Sequence, residues 1–107
     1  MAELTRGSIC NVALGRTSGR EQAGRRYAVV VQSDELSLLN TVVVVPTSTS
    51  ARPATFRPEI VVAAQRTRAL CEQIRTVDAQ RIGAVVGMLS AAELRSVEDA
   101  MEIVLEL

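Results

Sequence analysis

At 107 residues the chain is long enough for one hydrophobic core without disulfide or metal staples, and its 48% hydrophobic content is almost all Val, Ala, Leu and Ile. Formal charge is zero, every one of the twelve basic residues is Arg, and the last 26 residues are acidic while residues 1–81 set eleven Arg against seven acids. The absence of histidine excludes His-based zinc sites, Ser-His-Asp and Cys-His nucleophiles and paired-His ribonuclease chemistry.

Taken in chain order, Ser8 to Leu14 (SICNVAL) reads as a strand with Ile9, Asn11 and Ala13 on one face and Cys10, Val12 and Leu14 on the other. A polar, Gly-punctuated loop runs from Gly15 to Arg26, and loops this long in a small domain are often functional. Tyr27 to Gln32 (YAVVVQ) has the β-branched composition of a buried strand. SDELSLLN, Ser33 to Asn40, predicts a brief helical turn. Thr41 to Val45 is a second buried strand that Pro46 is expected to stop, and a hydroxyl-rich loop follows to about Thr55. Glu59 to Ala64 and Ala69 to Gln73 read as two further strands, and Ile74 to Arg81 as a polar turn around Asp78.

The period then changes. Ser90-Ala91-Ala92-Glu93 is a capping box, and Leu94, Val97, Met101 and Val104 recur as an apolar stripe along one helix face. About five short strands and one terminal helix predict a mainly β fold, a small, strongly bent barrel spanning 1–107 as one domain. Cys10 and Cys71 each sit in a hydrophobic stretch, where a reduced, buried thiol is the default. There is no apolar signal region and no run approaching 18 apolar residues, so a soluble, cytoplasmic protein with no membrane partner is expected. The only rings are Tyr27 and Phe56, so nucleic acid would have to be held mainly by charge, hydrogen bonding and shape.

Three polar segments flank strands rigid enough to position chemistry: GREQAGRR (19–26), PTSTSARP (46–53) and EQIRT (72–76). Singly, each reads as a solvated turn or a surface edge. In this order and combination, with Arg6-Gly7 ahead of the first strand, they resemble the MazF/PemK toxin family over almost the whole chain.

The resemblance implies an SH3-like barrel of the CcdB/PemK type with a C-terminal helix. It implies a homodimer that cuts single-stranded RNA at a short motif and is neutralised by a cognate antitoxin. It implies Arg26 and a hydroxyl after the third strand, Ser48 by the Pro46 anchor with Thr47 and Thr49 beside it, as catalytic groups. Gln73 falls where family members contact bases. Arg20, Gln22, Arg25 and Tyr27 in the loop and Arg52 after the hydroxyl turn are further RNA-contact candidates.

In such a reaction the 2′-hydroxyl attacks the adjacent phosphorus, and a guanidinium with a hydroxyl donor stabilises the charge gathering on phosphate oxygens. No metal or other cofactor is expected. Glu21 is the candidate for orienting Arg26 or taking the proton, with a loop-stabilising ion pair as the alternative. Tyr27 stands where the family has Pro and Ser8 where it has Asp, which bears on activity and target sequence. A gyrase-poisoning toxin of the CcdB type and a catalytically silent antitoxin-binding homologue are the competing readings.

Overall fold

A computed structural model describes residues 4–15, 19 and 22–107. Among them seven strands and one α-helix form: β1 (Ser8–Ala13), β2 (Arg25–Val30), β3 (Thr41–Ser48), β4 (Glu59–Val62), β5 (Gln65–Ala69), β6 (Arg75–Asp78), β7 (Ile82–Met88) and α1 (Ala91–Leu105). The sheet runs β4-β5-β3-β2-β1-β7, and β6 pairs with the first half of β3. All pairings are antiparallel. The fold is therefore the expected one, mainly β with a C-terminal helix, but with more strands than the sequence predicts.

β3 does not stop at Pro46; it continues to Ser48. The Pro46 carbonyl accepts from Leu70 N at 2.8 Å, and in an extended strand N and O of one residue point to the same side. The missing N–H therefore falls on the β5/β6 side. There the ladder changes partner, from β6 ending at Val44↔Arg75 to β5 starting at Thr47↔Ala69. No bond to β2 is lost, so the proline is tolerated.

The predicted strand Glu59 to Ala64 forms as β4, but its hairpin partner is Gln65–Ala69, β5, with Val62↔Gln65 closing the end, and the strand expected at Ala69 to Gln73 does not form. Cys71–Gln73 is a short 3-10 turn beyond β5. The two turn residues, Ala63 and Ala64, have φ of 51° and 63°. A two-residue hairpin of this hand calls for Asn-Gly, and Ala-Ala gives no such signal. The segment expected to be turn-like, Ile74 to Arg81, contains β6, because Val77 is drawn into the core and pairs with Val42. β7, which carried no sequence assignment, lies along β1 with register shifts on either side of Cys10 that bend it.

Strand alternation gives the sheet two apolar faces. One packs Cys10, Val12, Leu14, Ala28, Val30, Val42, Val44 and Val77 together. The other packs Ile9, Val29, Val45, Ile60, Val62 and Ala69 beneath Val97, Ala100 and Met101 of α1. Full burial of one such aliphatic side chain is worth about 1.5–3 kcal/mol, so these two faces carry most of the stability.

Side-chain bonds then fix the helix to the sheet. The Ser90 hydroxyl accepts from Glu93 N (3.1 Å), and Glu93 returns a bond from Ser90 N (2.9 Å), completing the capping box. Glu93 Oε2 also accepts from Val61 N in β4 at 2.8 Å. Desolvation pushes the Glu93 carboxyl up, but bonds from Ser90 N, Val61 N and the Ser90 hydroxyl outweigh it, so its pKa lies below the ordinary carboxylate value. Arg6 of the Arg-Gly pair donates to Glu98 at 3.0 Å and to the Val31 carbonyl, joining α1 to the end of β2. Ser8 is buried and accepts from Thr5 N at 3.1 Å.

Replacing Ala64 with Gly should relieve a left-handed Cβ clash and raise stability by about 1 kcal/mol, seen as a rise in Tm on thermal denaturation. Ser90→Ala should cost about 1 kcal/mol in the same assay. Because the folded Glu93 pKa is lowered, its contribution is present above the ordinary carboxylate pKa and is lost as pH falls through the folded value. Glu93→Gln should accordingly flatten the acid limb of a stability–pH curve, and an unchanged slope would contradict the assignment.

Candidate active site

The face that α1 covers changes character one register step beyond Ile9↔Val29↔Val45. Two residues further along, β1 and β2 place Asn11 opposite Tyr27, and β3 brings Thr47 beside them. β5 adds Thr67 two residues before Ala69, which pairs with Thr47. Apolar side chains under the helix thus give way to a polar row outside it. A groove of about 370 Å³ opens there, and its walls include Arg25, Arg26, Tyr27, Thr47, Ser48 and Thr49. Six residues singled out from the sequence, drawn from the start of β2 and the end of β3, meet in one concavity.

Local structure places each. Gly15 and Gly24, at φ 73° and 74°, close the neck of the β1–β2 loop. Leu14 N donates to Gly24 O and Gly24 N to Gly15 O, at 2.8 and 2.9 Å. The chain re-enters the sheet at Arg25, so Arg25 and Arg26 stand exposed at the start of β2. By alternation Arg26 and Ser48 belong with Val12, Val30 and Val44 on the other face, yet both border the groove because β2 begins and β3 stops there. Arg26 Nε donates to the Ala23 carbonyl at 3.3 Å, which holds the side chain over its own loop.

The three hydroxyls differ in what they do. Thr47 is buried and donates to the Tyr27 carbonyl at 2.8 Å, tying β3 to β2. Ser48 is also buried; its oxygen accepts from Ser50 N at 3.3 Å and lies 3.2 Å from the Ser50 hydroxyl. Thr49 is exposed on the rim. Asn11, Val62, Gln65 and Thr67 complete the lining, and sequence reasoning singled out none of them. The available signal was Asn11 itself, a polar residue between Ile9 and Ala13 on a strand face otherwise apolar.

Gln73 and Arg52 do not line this groove. Gln73 Oε1 accepts from Gln22 N at 2.8 Å, so the amide of EQIRT holds the returning end of the Gly-rich loop. Its neighbour Glu72 accepts from Arg57 Nε at 2.8 Å and forms an ion pair with the same guanidinium, which also donates to the Arg52 carbonyl. Arg57 stacks 5.5 Å from the Phe56 ring centroid. The EQIRT segment therefore braces both loops from behind. Arg20 and Glu21 lie outside the described residues.

Thiolate chemistry is not on offer. Burial pushes the Cys10 thiol up to about 11, and burial with the adjacent Glu72 carboxylate pushes Cys71 up to about 12. Both are buried and reduced. Among the described residues, no helix is long and apolar enough to cross a membrane.

A family model described as the PemK-like, MazF-like toxin of type II toxin–antitoxin systems matches residues 5–105. A Mycobacterium tuberculosis protein described as a toxin is 43% identical over 100 residues, 92% of this chain and 93% of its own. The endoribonuclease MazF9 of the same organism is 32% identical over 117 residues, 97% and 98% of the two chains. Crystalline MazF from Deinococcus radiodurans shares the fold at a TM-score of 0.87 and 18% identity, over 100% of both chains. A mycobacterial endoribonuclease solved in complex with its cognate antitoxin does so at 0.83 and 18%, over 97% and 96%.

Replacing Thr47 with Val should remove the donor to the part-buried Tyr27 carbonyl and cost about 1 kcal/mol, whereas Ser48→Ala should cost distinctly less. Chemical denaturation of both variants checks this, and equal losses would remove the distinction drawn between the two hydroxyls.

Proposed function

The chain belongs to the PemK-like, MazF-like toxins of type II toxin–antitoxin systems, and from that membership we propose that it is an endoribonuclease cutting single-stranded RNA in the Arg26–Ser48 groove. The observation that carries the reading is the convergence of Arg25, Arg26, Tyr27 and the Thr47-Ser48-Thr49 turn on one open groove. The family match favours the nuclease over the CcdB-type reading, and MazF9, an endoribonuclease, is similar over nearly its full length.

In the proposed reaction the 2′-oxygen forms a bond to phosphorus and the P–O5′ bond breaks, leaving a 2′,3′-cyclic phosphate and a 5′-hydroxyl. The 2′-proton is lost to a base and the 5′-oxygen gains a proton. Arg26, carrying a permanently protonated guanidinium, neutralises the charge that builds on the non-bridging oxygens. Ser48 donates to the same phosphate: Ser50 N already occupies one of its lone pairs, which orients the hydroxyl. Fixed donors in a partly dehydrated groove are worth far more than in water, about a hundredfold to a thousandfold in rate for one such donor. Guanidinium and hydroxyl supply the charge neutralisation that a cation supplies elsewhere, so the reaction is assigned as metal-independent. Glu21 is the proposed base or orienting group. Arg25 guides the backbone, and Tyr27, 38% exposed, offers its ring or phenol to the substrate. Arg20, Gln22, Thr49 and Arg52 extend the RNA contacts, and Gln73 acts by holding the loop.

The proposed biological unit is a cytoplasmic homodimer held inactive by a cognate antitoxin. Two mycobacterial and deinococcal relatives were solved as toxin–antitoxin complexes, which supports that partner.

Purified protein should cleave single-stranded RNA in EDTA, leaving 5′-hydroxyl ends. Arg26→Ala should lower the rate at least about a hundredfold without changing the circular dichroism melt. Intact RNA of varied sequence at micromolar wild-type protein sinks the proposal. RNA binding should also weaken as salt rises, because arginine–phosphate contacts release counterions; a flat response contradicts backbone recognition by Arg25 and Arg26.

A further inference from the structure

The floor of the groove contains polar groups that neither the fold nor the proposed chemistry uses. Thr67 is only 6% exposed, and its Oγ1 is buried with no hydrogen-bond partner among the described residues. An unsatisfied buried hydroxyl costs roughly 1–3 kcal/mol, so a valine here would give the fold more stability than the threonine does. Thr67 nevertheless stands among the groove's lining residues, on the strand face that carries Ala69 and opposite Ile60.

Across the groove, Asn11 lies directly opposite Tyr27 on neighbouring strands. Such pairs hold their Cβ atoms about 4.5–5.5 Å apart, so amide and ring form one continuous surface. Asn11 is half-buried and lines the groove. Its amide offers a donor and an acceptor side by side, the pattern that pairs with a base edge. Thr47, the remaining hydroxyl of this row, is already committed to the Tyr27 carbonyl. The scissile-phosphate donors, Arg26 and Ser48, sit at the strand ends that border the same space.

We propose that Asn11 and Thr67 form a base-reading subsite, in which an unstacked nucleobase lies against the Tyr27 ring with its edge bonded to the Asn11 amide and the Thr67 hydroxyl. The subsite rests on the groove being the RNA site. Its position on strands makes it a determinant of target sequence, separate from the groups that act on phosphate. Single-stranded RNA is read in this way, by splayed bases stacked on rings and bonded along their edges.

The test uses full-length protein and a random single-stranded RNA library with 2′-fluoro sugars, which cannot supply the attacking hydroxyl. Bound molecules are sequenced for wild type, Asn11→Ala, Thr67→Val and Thr67→Ser. Wild type should enrich one base at one position. Asn11→Ala and Thr67→Val should each reduce that enrichment by about tenfold, the scale of one good base-edge contact. Total affinity should remain within about threefold, since phosphate contacts dominate it. Thr67→Ser should retain the preference, and Thr67→Val should melt no lower than wild type, separating recognition from folding. A wild type with no positional preference, or variants that keep it, overturns the subsite. A parallel 2′-hydroxyl library tests cleavage itself: enrichment without cutting contradicts the nuclease reading alone and leaves base recognition standing.

Discussion

A single helix covers one face of the sheet, and it does not cover all of it. Val97, Ala100 and Met101 of α1 seal the row containing Ile9, Val29 and Val45, and the next side chains of the same strands are Asn11, Tyr27 and Thr47. An uncovered strand face cannot remain apolar without becoming an aggregation surface, and a covered one cannot be polar without stranding hydrogen-bonding groups. The boundary of the helix is thus also the boundary between core and site. The groove consists of the residues left where the cover ends, rigid because the covered half of each strand holds them.

The loops that bring in the chemistry are braced from outside the groove. Gln73 grips the backbone at Gln22, and Glu72 grips Arg57, which reaches the Arg52 carbonyl. Thr47 ties the hydroxyl turn to the strand that carries Arg26. The polar motifs therefore divide their labour. Residues at the strand ends border the groove, and EQIRT braces the loops from behind. Arginine suits both places, since its planar fork is matched to carboxylate and phosphate alike, and in the brace it holds Glu72 and the Arg52 carbonyl. The acidic helix is remote from the groove floor and serves the fold through Glu93 and Glu98.

Much was legible in the linear chain. The strands at 8–14 and 27–32, the buried start of β3, the capping box at Ser90 and the apolar stripe of α1 are local patterns, decided by alternation, side-chain branching and cap chemistry. The ordered motifs also pointed to the family that the match over residues 5–105 shows. Pro46 looked like a terminator because its missing donor has a cost in most strands, and only the partner switch from β6 to β5 removes that cost. Ala63-Ala64 turns without a turn residue, so nothing local marks Gln65–Ala69 as the returning arm of the hairpin. β6 is polar because most of its length is exposed, and Val77 alone reveals its inward side.

By itself, then, the sequence determined the class of fold, the amphipathic helix and the residue types available for chemistry: arginine, hydroxyl and amide, with no histidine. It could not determine which of these face one another, because strand pairing joins residues far apart in the chain and alternation assigns each to a face only once the register is set. Tertiary structure decided that Arg26 and Ser48 share a groove, that Gln73 supports the loop, and that Asn11 and Thr67 lie on the floor. Neither of the last two belongs to a local motif; the packed sheet alone brings them to one groove.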